Sequence, residues 1–155
     1  MPNIDAVDKA LLQELQNNAR RTNRELADAV HVSPSTSLER VRALQARGVI
    51  RGYRAEVALE SIGRPLQALI AVRIRPPSRD RIEAFRDWVS DLPETMGVFV
   101  VSGTDDFLIH LGVRDPQHLY SFVIDRLTER PEVADVRTSL VYEHIRKPVL
   151  EVLDN

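Results

Sequence analysis

Residues 22–48 read TNRELADAVHVSPSTSLERVRALQARG, and two helices meeting at a tight corner can be marked on that string. Thr22 with Glu25 three residues later is a capping box, each side chain satisfying the other residue's backbone N–H. It opens a short helix with Leu26, Ala27 and Val30 inward. His31-Val32 leaves space only for a tight connection. Ser33-Pro34 then starts a second helix, with Ser as N-cap and Pro at the first helical position, where a missing N–H costs nothing. That helix runs to about Arg47, and Gly48 stops it. At ~100° per residue, Leu38, Val41 and Leu44 define its buried face. Ser35, Thr36, Glu39, Ala43, Ala46 and Arg47 fall opposite, with Arg40 and Arg42 on the flanks.

Working outward, Ile4, Val7, Leu11, Leu12 and Leu15 recur at helical spacing. Asp5 and Asp8 sit in that helix's first turn, where a carboxylate complements the dipole. Three short helices, the last two almost contiguous, form a helix-turn-helix whose third helix enters a major groove. Small polar residues at its start (Ser33, Ser35, Thr36) permit close approach to base edges. Glu39 can accept from cytosine N4, and an arginine can donate to guanine. Arg40, Arg42 and Arg47 on this helix, Arg20 and Arg21 before it, and Arg51 and Arg54 after it suit phosphates, which add affinity without sequence information. Arg40 also has a structural option, pairing with an acid such as Asp8 or Glu25. A three-helix unit that binds a protein partner shares this outline.

Net charge supports the split. The 155-residue chain carries −2 overall, but residues 1–55 carry +3 and residues 20–54 carry +5, leaving an acidic remainder. Residues 49–59 read as an extended wing or linker strand, and the Glu60 to Pro65 stretch, with both breakers present, as a boundary. The expected division is 1–60, a DNA-binding domain, and 61–155, a second domain.

From Leu66 the period changes to two. Residues 66–75 alternate as a strand stopped by Pro76-Pro77. Ser78 caps a helix over about 79–91, with Ile82, Phe85, Val89 and Leu92 on one face. Strands follow at 96–102 and 107–114, joined by the turn Gly103 to Asp106. Asp115-Pro116 opens a helix to about Glu129, and 133–145 is a last strand. The order β-α-β-β-α-β is the ferredoxin-like split βαβ arrangement, so the fold class is α+β. Its sheet strands are apolar on both alternating sets (Val98 and Val100 against Phe99 and Val101; Ile109 and Leu111 against Leu108), while two helices cover only one face. A second copy is the simplest cover, giving a twofold dimer. Ser102 to Asp106 is a hairpin turn by composition. It also offers hydroxyls and N–H groups to a carboxylate and Asp105 or Asp106 to an ammonium.

These residues resemble the Lrp/AsnC ("feast/famine") regulators. The resemblance rests on Ile4-Asp5-x-x-Asp8-x-x-Leu11-Leu12, Ala19-Arg20, Glu25-Leu26-Ala27, Ser33-Pro34-Ser35-Thr36, Arg40-Val41-x-x-Leu44 and Gly48-Val49-Ile50-x-Gly52-Tyr53. In the second half, Val101-Ser102-Gly103-x-x-Asp106-Phe107 and Val136-Arg137-Thr138-Ser139 are similar to the family's ligand-sensing domain. The resemblance implies a transcription regulator that binds double-stranded operator DNA, dimerises through the sheet and often forms tetramers or octamers. It also implies an amino-acid effector bound between dimers near Ser102, Gly103, Thr104, Asp105 and Asp106, with Arg137, Thr138 and Ser139. His31 stands where many relatives have Gly, Glu39 where some have Arg, and Ser139 where some have an aromatic residue.

Other chemistries find little purchase. Zero cysteines remove thiolate catalysis and Cys-based metal sites. His31, His110, His118 and His144 show no metal-ligand spacing. No phosphate loop or nucleophile elbow is present. No metal, cofactor or catalytic residue is expected. The absence of a leader and of a ~20-residue apolar span points to the cytoplasm with no membrane. Two alternatives remain: a siroheme-decarboxylase-like enzyme using His110 or His144 with Arg137, and a partner-binding module with a vestigial helix-turn-helix.

Overall fold

The computed structural model describes residues 4–153 and resolves into two compact units. The first contains α1 (Ala6–Asn17), α2 (Asn23–Ala29) and α3 (Pro34–Ala46). All three helix starts are capped, α2 and α3 by the expected residues and α1 by Asp5, which the spacing puts inside the first turn. Asp5 accepts from the Asp8 amide at 2.9 Å. Thr22 and Glu25 form the reciprocal box, and Ser33 accepts from the Thr36 amide at 3.1 Å. Leu11, Leu15 and Leu26 are buried together, with Val7, Val30, Val41 and Ile50 packed against them. Gly48 takes a left-handed φ of 71°, ending α3. His31 also adopts positive φ, 57°, in the tight turn, a conformation that L side chains other than Asn, Asp and His rarely hold.

One expectation about α3 is corrected. Leu38 is not on the buried face: it is 38% exposed, and Ser37 is fully buried in its place. The inward stripe is Ser37, Val41 and Leu44: two of its three members are as expected, and the exchange of Leu38 for Ser37 turns its centre by about 30° at ~100° per residue. The short connection brings α2 against the first turn of α3, where Asn23 Nδ2 donates to the Pro34 carbonyl at 2.7 Å.

A second correction concerns the wing. Residues 51–58 are exposed and pair with no strand among the described residues. Extended sequence becomes a strand only where a neighbouring edge takes its hydrogen bonds, and no edge of the chain does so here.

The second unit, Val57–His144, holds β1 (Leu66–Ile74), α4 (Arg79–Ser90), β2 (Thr95–Val100), β3 (Phe107–Val113), α5 (Pro116–Ser121, continued by a π-helical turn at Phe122–Leu127) and β4 (Val133–Val141). The sheet order is β2-β3-β1-β4 with every pairing antiparallel, the split βαβ topology. Alternation along β1 and β3 sends Ala68, Ile70, Val72, Ile74, Phe107, Ile109 and Leu111 to the helix side, where they are buried with Phe85, Val89, Phe122 and Leu127. Phe85 stacks tilted on Phe107 at 4.8 Å between ring centroids. β4 stops at Val141 rather than 145 because its partner Gln67 is one residue from the start of β1. β2 stops before Val101, whose amide closes the hairpin onto the Asp106 carbonyl at 3.0 Å. The expected helix to Glu129 widens after Ser121, and the Thr128 amide reaches back five residues to the Val123 carbonyl.

The opposite sheet face carries Gln67, Leu69, Ala71, Leu108, His110 and Phe99, cross-strand neighbours by register. Leu69 and Phe99 are 39% and 58% exposed. The tail departs from the expected second domain: Ile145 onward groups with the helical unit. No helix among the described residues is long and apolar enough to cross a membrane.

Candidate nucleic-acid interface and effector turn

On α3 the side chains facing away from Ser37, Val41 and Leu44 are Ser35, Glu39, Arg42, Ala43 and Ala46, all exposed. The Ser33 hydroxyl lies 2.9 Å from that of Ser35 and 2.8 Å from that of Thr36, so the hydroxyls at the helix start form one linked group. The small turn of the buried stripe moves Arg42 from a flank toward the outward face, where it makes no ion pair among the described residues.

Arg40 and Arg47 are differently placed. The Arg40 Nη1 contacts the Asp5 carboxylate and lies 3.1 Å from Asp8 Oδ1, and Arg47 Nη1 lies 3.6 Å from Asp8 Oδ2. Asp8 is 4% exposed, so one nearly buried carboxylate on α1 holds two arginines of α3. Arg40's hydrogen bond, reinforced by the Asp8 amide, keeps the Asp5 carboxyl below its usual range. The same bonds to Asp5 and Asp8 raise the Arg40 guanidinium's affinity for its proton. Of the two acids named from sequence, Asp8 pairs with Arg40. Glu25 does not, being engaged by Thr22, whose amide and hydroxyl hold its carboxyl below the ordinary range. Arg21 bonds Glu14 at 2.7 Å, while Arg20, Arg51 and Arg54 are placed on exposed or half-exposed backbone outside the helices.

The turn at 102–106 is anchored by groups that composition alone did not single out. Asp106 Oδ2 accepts from the Ile74 amide at 2.7 Å and lies 3.6 Å from Arg75 Nη1. Its own amide donates to the Val72 carbonyl, and Arg73 Nε donates to the Thr104 carbonyl at 2.9 Å. Arg73 and Arg75 were legible only as the tail of an alternating strand. Gly103 has φ 119°, which a side chain would strain. Asp105 meets Arg137 from β4: Nη2 lies 2.6 Å from Oδ1 and 2.5 Å from Oδ2. Arg137 and Ser139 pair with Ala71 and Leu69, and so share the open sheet face. Thr138 pairs with Ile70 and points to the other face, so Thr138 is separated from the turn.

The histidines are occupied structurally. His110 Nε2 lies 2.9 Å from Gln67 Oε1 and its ring meets His144 edge-on at 5.2 Å. His118 Nε2 lies 3.2 Å from Glu94 Oε1. Among the described residues no group of three His, Asp or Glu could hold a metal.

Comparison with known proteins accounts for both halves. Residues 4–45 match the AsnC-type helix-turn-helix domain and residues 67–149 the Lrp/AsnC ligand binding domain. The HTH-type transcriptional regulator AldR of Mycobacterium tuberculosis is 39% identical over 92% of this chain and 80% of its own length. The leucine-responsive regulatory protein of Escherichia coli K12 is 32% identical over 93% of this chain and 88% of its own. Among solved structures, a transcriptional regulator of Neisseria meningitidis in complex with L-Met superposes with a TM-score of 0.86 at 36% identity, covering 94% of each chain. The crystal structure of the tuberculosis AldR covers 94% of this chain and 97% of that one, with a TM-score of 0.76 at 35% identity. Each of these relatives is named as a regulator, which favours the regulator over the decarboxylase alternative. The capped helix-turn-helix, the split βαβ sheet and both sequence matches lead to one conclusion: this chain belongs to the Lrp/AsnC family of DNA-binding transcriptional regulators.

Proposed function

We propose that the helical part of residues 1–60 reads operator DNA through the outward stripe of α3, and that the sheet domain beginning at 61 binds an amino acid and self-associates. Ser33, Ser35, Thr36, Glu39 and Arg42 face base edges, with Arg42 as the central donor. Arg20, Arg21, Arg51 and Arg54 approach phosphates. Arg40 and Arg47 act chiefly by holding α3 to α1 and offer phosphates only their remaining N–H groups. The single observation that carries this reading is the division of labour on α3, where two arginines are held by Asp8 and the third faces outward beside small side chains.

On the effector side, Ser102, Gly103 and Thr104 supply hydroxyl and N–H groups for a carboxylate. Asp105, Asp106, Arg137 and Ser139 supply charge and polarity at the rim, with Thr138 outside it. The L-Met complex of the neisserial relative makes L-methionine the first amino acid to try. Two copies meeting on the face that holds Leu69, Phe99 and Leu108 would bury its apolar surface and present two α3 helices to half-sites about one DNA turn apart.

The test has three arms. Gel shifts on the region upstream of the gene should show a complex that resists competitor DNA and weakens steeply with salt. A thermal-shift screen over the amino acids should find one that stabilises, by about 2.7 kcal/mol at a hundredfold excess over its Kd. Sedimentation should give a dimer that Phe99→Asp weakens. A complex abolished by nonspecific competitor at every salt concentration overturns operator reading. Failure of all twenty amino acids overturns the effector assignment alone, and a monomeric wild-type chain overturns the dimer.

A further inference from the structure

The sheet ends at Val141, yet the residues from Ile145 onward group with the helical unit. Gln16 holds them by a reciprocal pair: Nε2 donates to the Leu150 carbonyl at 3.0 Å, and Oε1 accepts from the Leu150 amide at 2.9 Å. One side chain thus satisfies both backbone groups of one residue, the pairing a neighbouring strand would supply. A slip of one residue breaks both bonds, so the register is set. Lys9, Leu12 and Gln13 line a small groove of about 240 Å³ with Val149, Leu150 and Val152. Lys9, Leu12, Gln13 and Gln16 recur at i, i+3, i+4 and i+7, one stripe of α1. That stripe lies beside the Asp8, Leu11 and Leu15 stripe buried against the other helices. Val149 and Val152 are half-buried, while Ile145 and Leu153 are 82% and 88% exposed, so the segment turns its two valines onto the helix. Residues beyond Val149 lie outside both family matches.

We propose that residues 145–153 are a strap that ties the end of β4 back to α1, so that the DNA-reading unit is joined to the sheet by two chain segments instead of one, the second held at its far end by the Gln16 hydrogen bonds. The first link is the unpaired stretch 51–58. The second is short: Val141 precedes Leu150 by nine positions, a reach of at most ~30 Å. A reading head on one flexible link samples a wide volume and tolerates varied half-site spacing. A second link narrows that volume, raising the effective concentration at the right spacing and lowering it elsewhere. The spacing consequence rests on the dimer proposed above.

The cysteine-free chain makes the docking directly measurable. A Gln16→Cys, Leu150→Cys pair should be joined within one chain by a short bis-maleimide cross-linker, the distance being too long for a direct disulfide, and failure to join it overturns the strap. Binding is then measured for the intact chain, a chain lacking residues 148–155, and Gln16→Ala. The probes are duplexes with two selected half-sites centred about 10, 15 or 21 bp apart. The intact chain should prefer in-phase over out-of-phase spacing by about tenfold or more, and both variants by less than about threefold, with in-phase affinity kept within about twofold. Identical spacing profiles overturn the strap. Loss of binding at every spacing by both variants also overturns it, because the tail is then only a part of the helical fold. Sedimentation run alongside separates these results from failure of the dimer, in which case the cross-link alone decides.

Discussion

Removing Arg40 and removing Arg42 should have opposite signatures, although the two residues stand two positions apart on one helix. Arg40 joins α3 to α1 through Asp8, whose side chain is 5% exposed, and through Asp5, whose side chain is 46% exposed. A hydrogen bond to a charged group contributes about 1.5–3 kcal/mol when well buried, and an exposed ion pair about 0–1 kcal/mol. Arg40's side chain is 37% exposed, and Arg47 stays 3.6 Å from Asp8 after the substitution. Arg40→Ala should therefore cost about 1–2 kcal/mol of helical-unit stability, below the about 3–5 kcal/mol of a fully buried pair left unpartnered. Native-state hydrogen exchange of the α1 and α3 amides reads this locally, as a five- to thirtyfold loss of protection at ~1–2 kcal/mol. Arg42→Ala removes no hydrogen bond or ion pair among the described residues and should leave exchange unchanged. It should cost about 1–3 kcal/mol of operator affinity if Arg42 meets a base, or lower the salt slope by about 0.9 if it meets a phosphate. If Arg40→Ala leaves exchange untouched and lowers the salt slope by that full step, Arg40 is a phosphate contact and the reasoning from Asp8 is wrong.

Three further outcomes are expected. Ser37→Ala should be neutral or stabilising by up to about 1 kcal/mol, because the buried Ser37 hydroxyl has no hydrogen-bond partner and Ala is the better helix former; a clear drop in melting temperature would reveal a hidden partner. His31→Gly should raise the melting temperature, relieving about 1 kcal/mol of left-handed backbone strain at φ 57°, and a neutral or lower value refutes strain there. Glu94 governs an acid limb. Burial pushes its carboxyl up, but its own amide, the His118 side chain and the charge of Arg126 pull it further down, so its pKa lies below the ordinary glutamate range. A depressed folded-state pKa adds stability above the unfolded value of about 4.3, and that stability is lost as pH falls through the lower folded one. Trp88 fluorescence should show the sheet unit weakening below about pH 4.3, with Glu94→Gln flattening the slope; equal slopes dismiss Glu94 as the responsive group.

Much of the molecule was legible before any coordinates. Thr22 with Glu25, Ser33 with Pro34, and Asp115 with Pro116 mark helix starts through bonds that span three residues, and the β-α-β-β-α-β order follows from a change of period at Leu66. The Gly103 turn and the two apolar sheet faces were equally local readings. Less accessible was the rotation of α3. Leu38 and Ser37 are neighbours, and hydrophobicity favours Leu inward, but the way α3 seats against the other helices sets which side faces in, and it buries Ser37 and leaves Leu38 38% exposed.

Caps, turns and periodicity rest on interactions between residues near one another along the chain, so they, and with them the fold and its family, can be read from residue order. Tertiary structure alone decided which arginine is free and which is held, that Asp105 spends its charge on Arg137, and that a tail assigned to the sheet returns to Gln16. Those pairings join positions 32 to 134 residues apart. Chain distance carries no information about which of several equivalent acids, amides or arginines will meet, because only the packing of the intervening elements brings one of them within hydrogen-bond range.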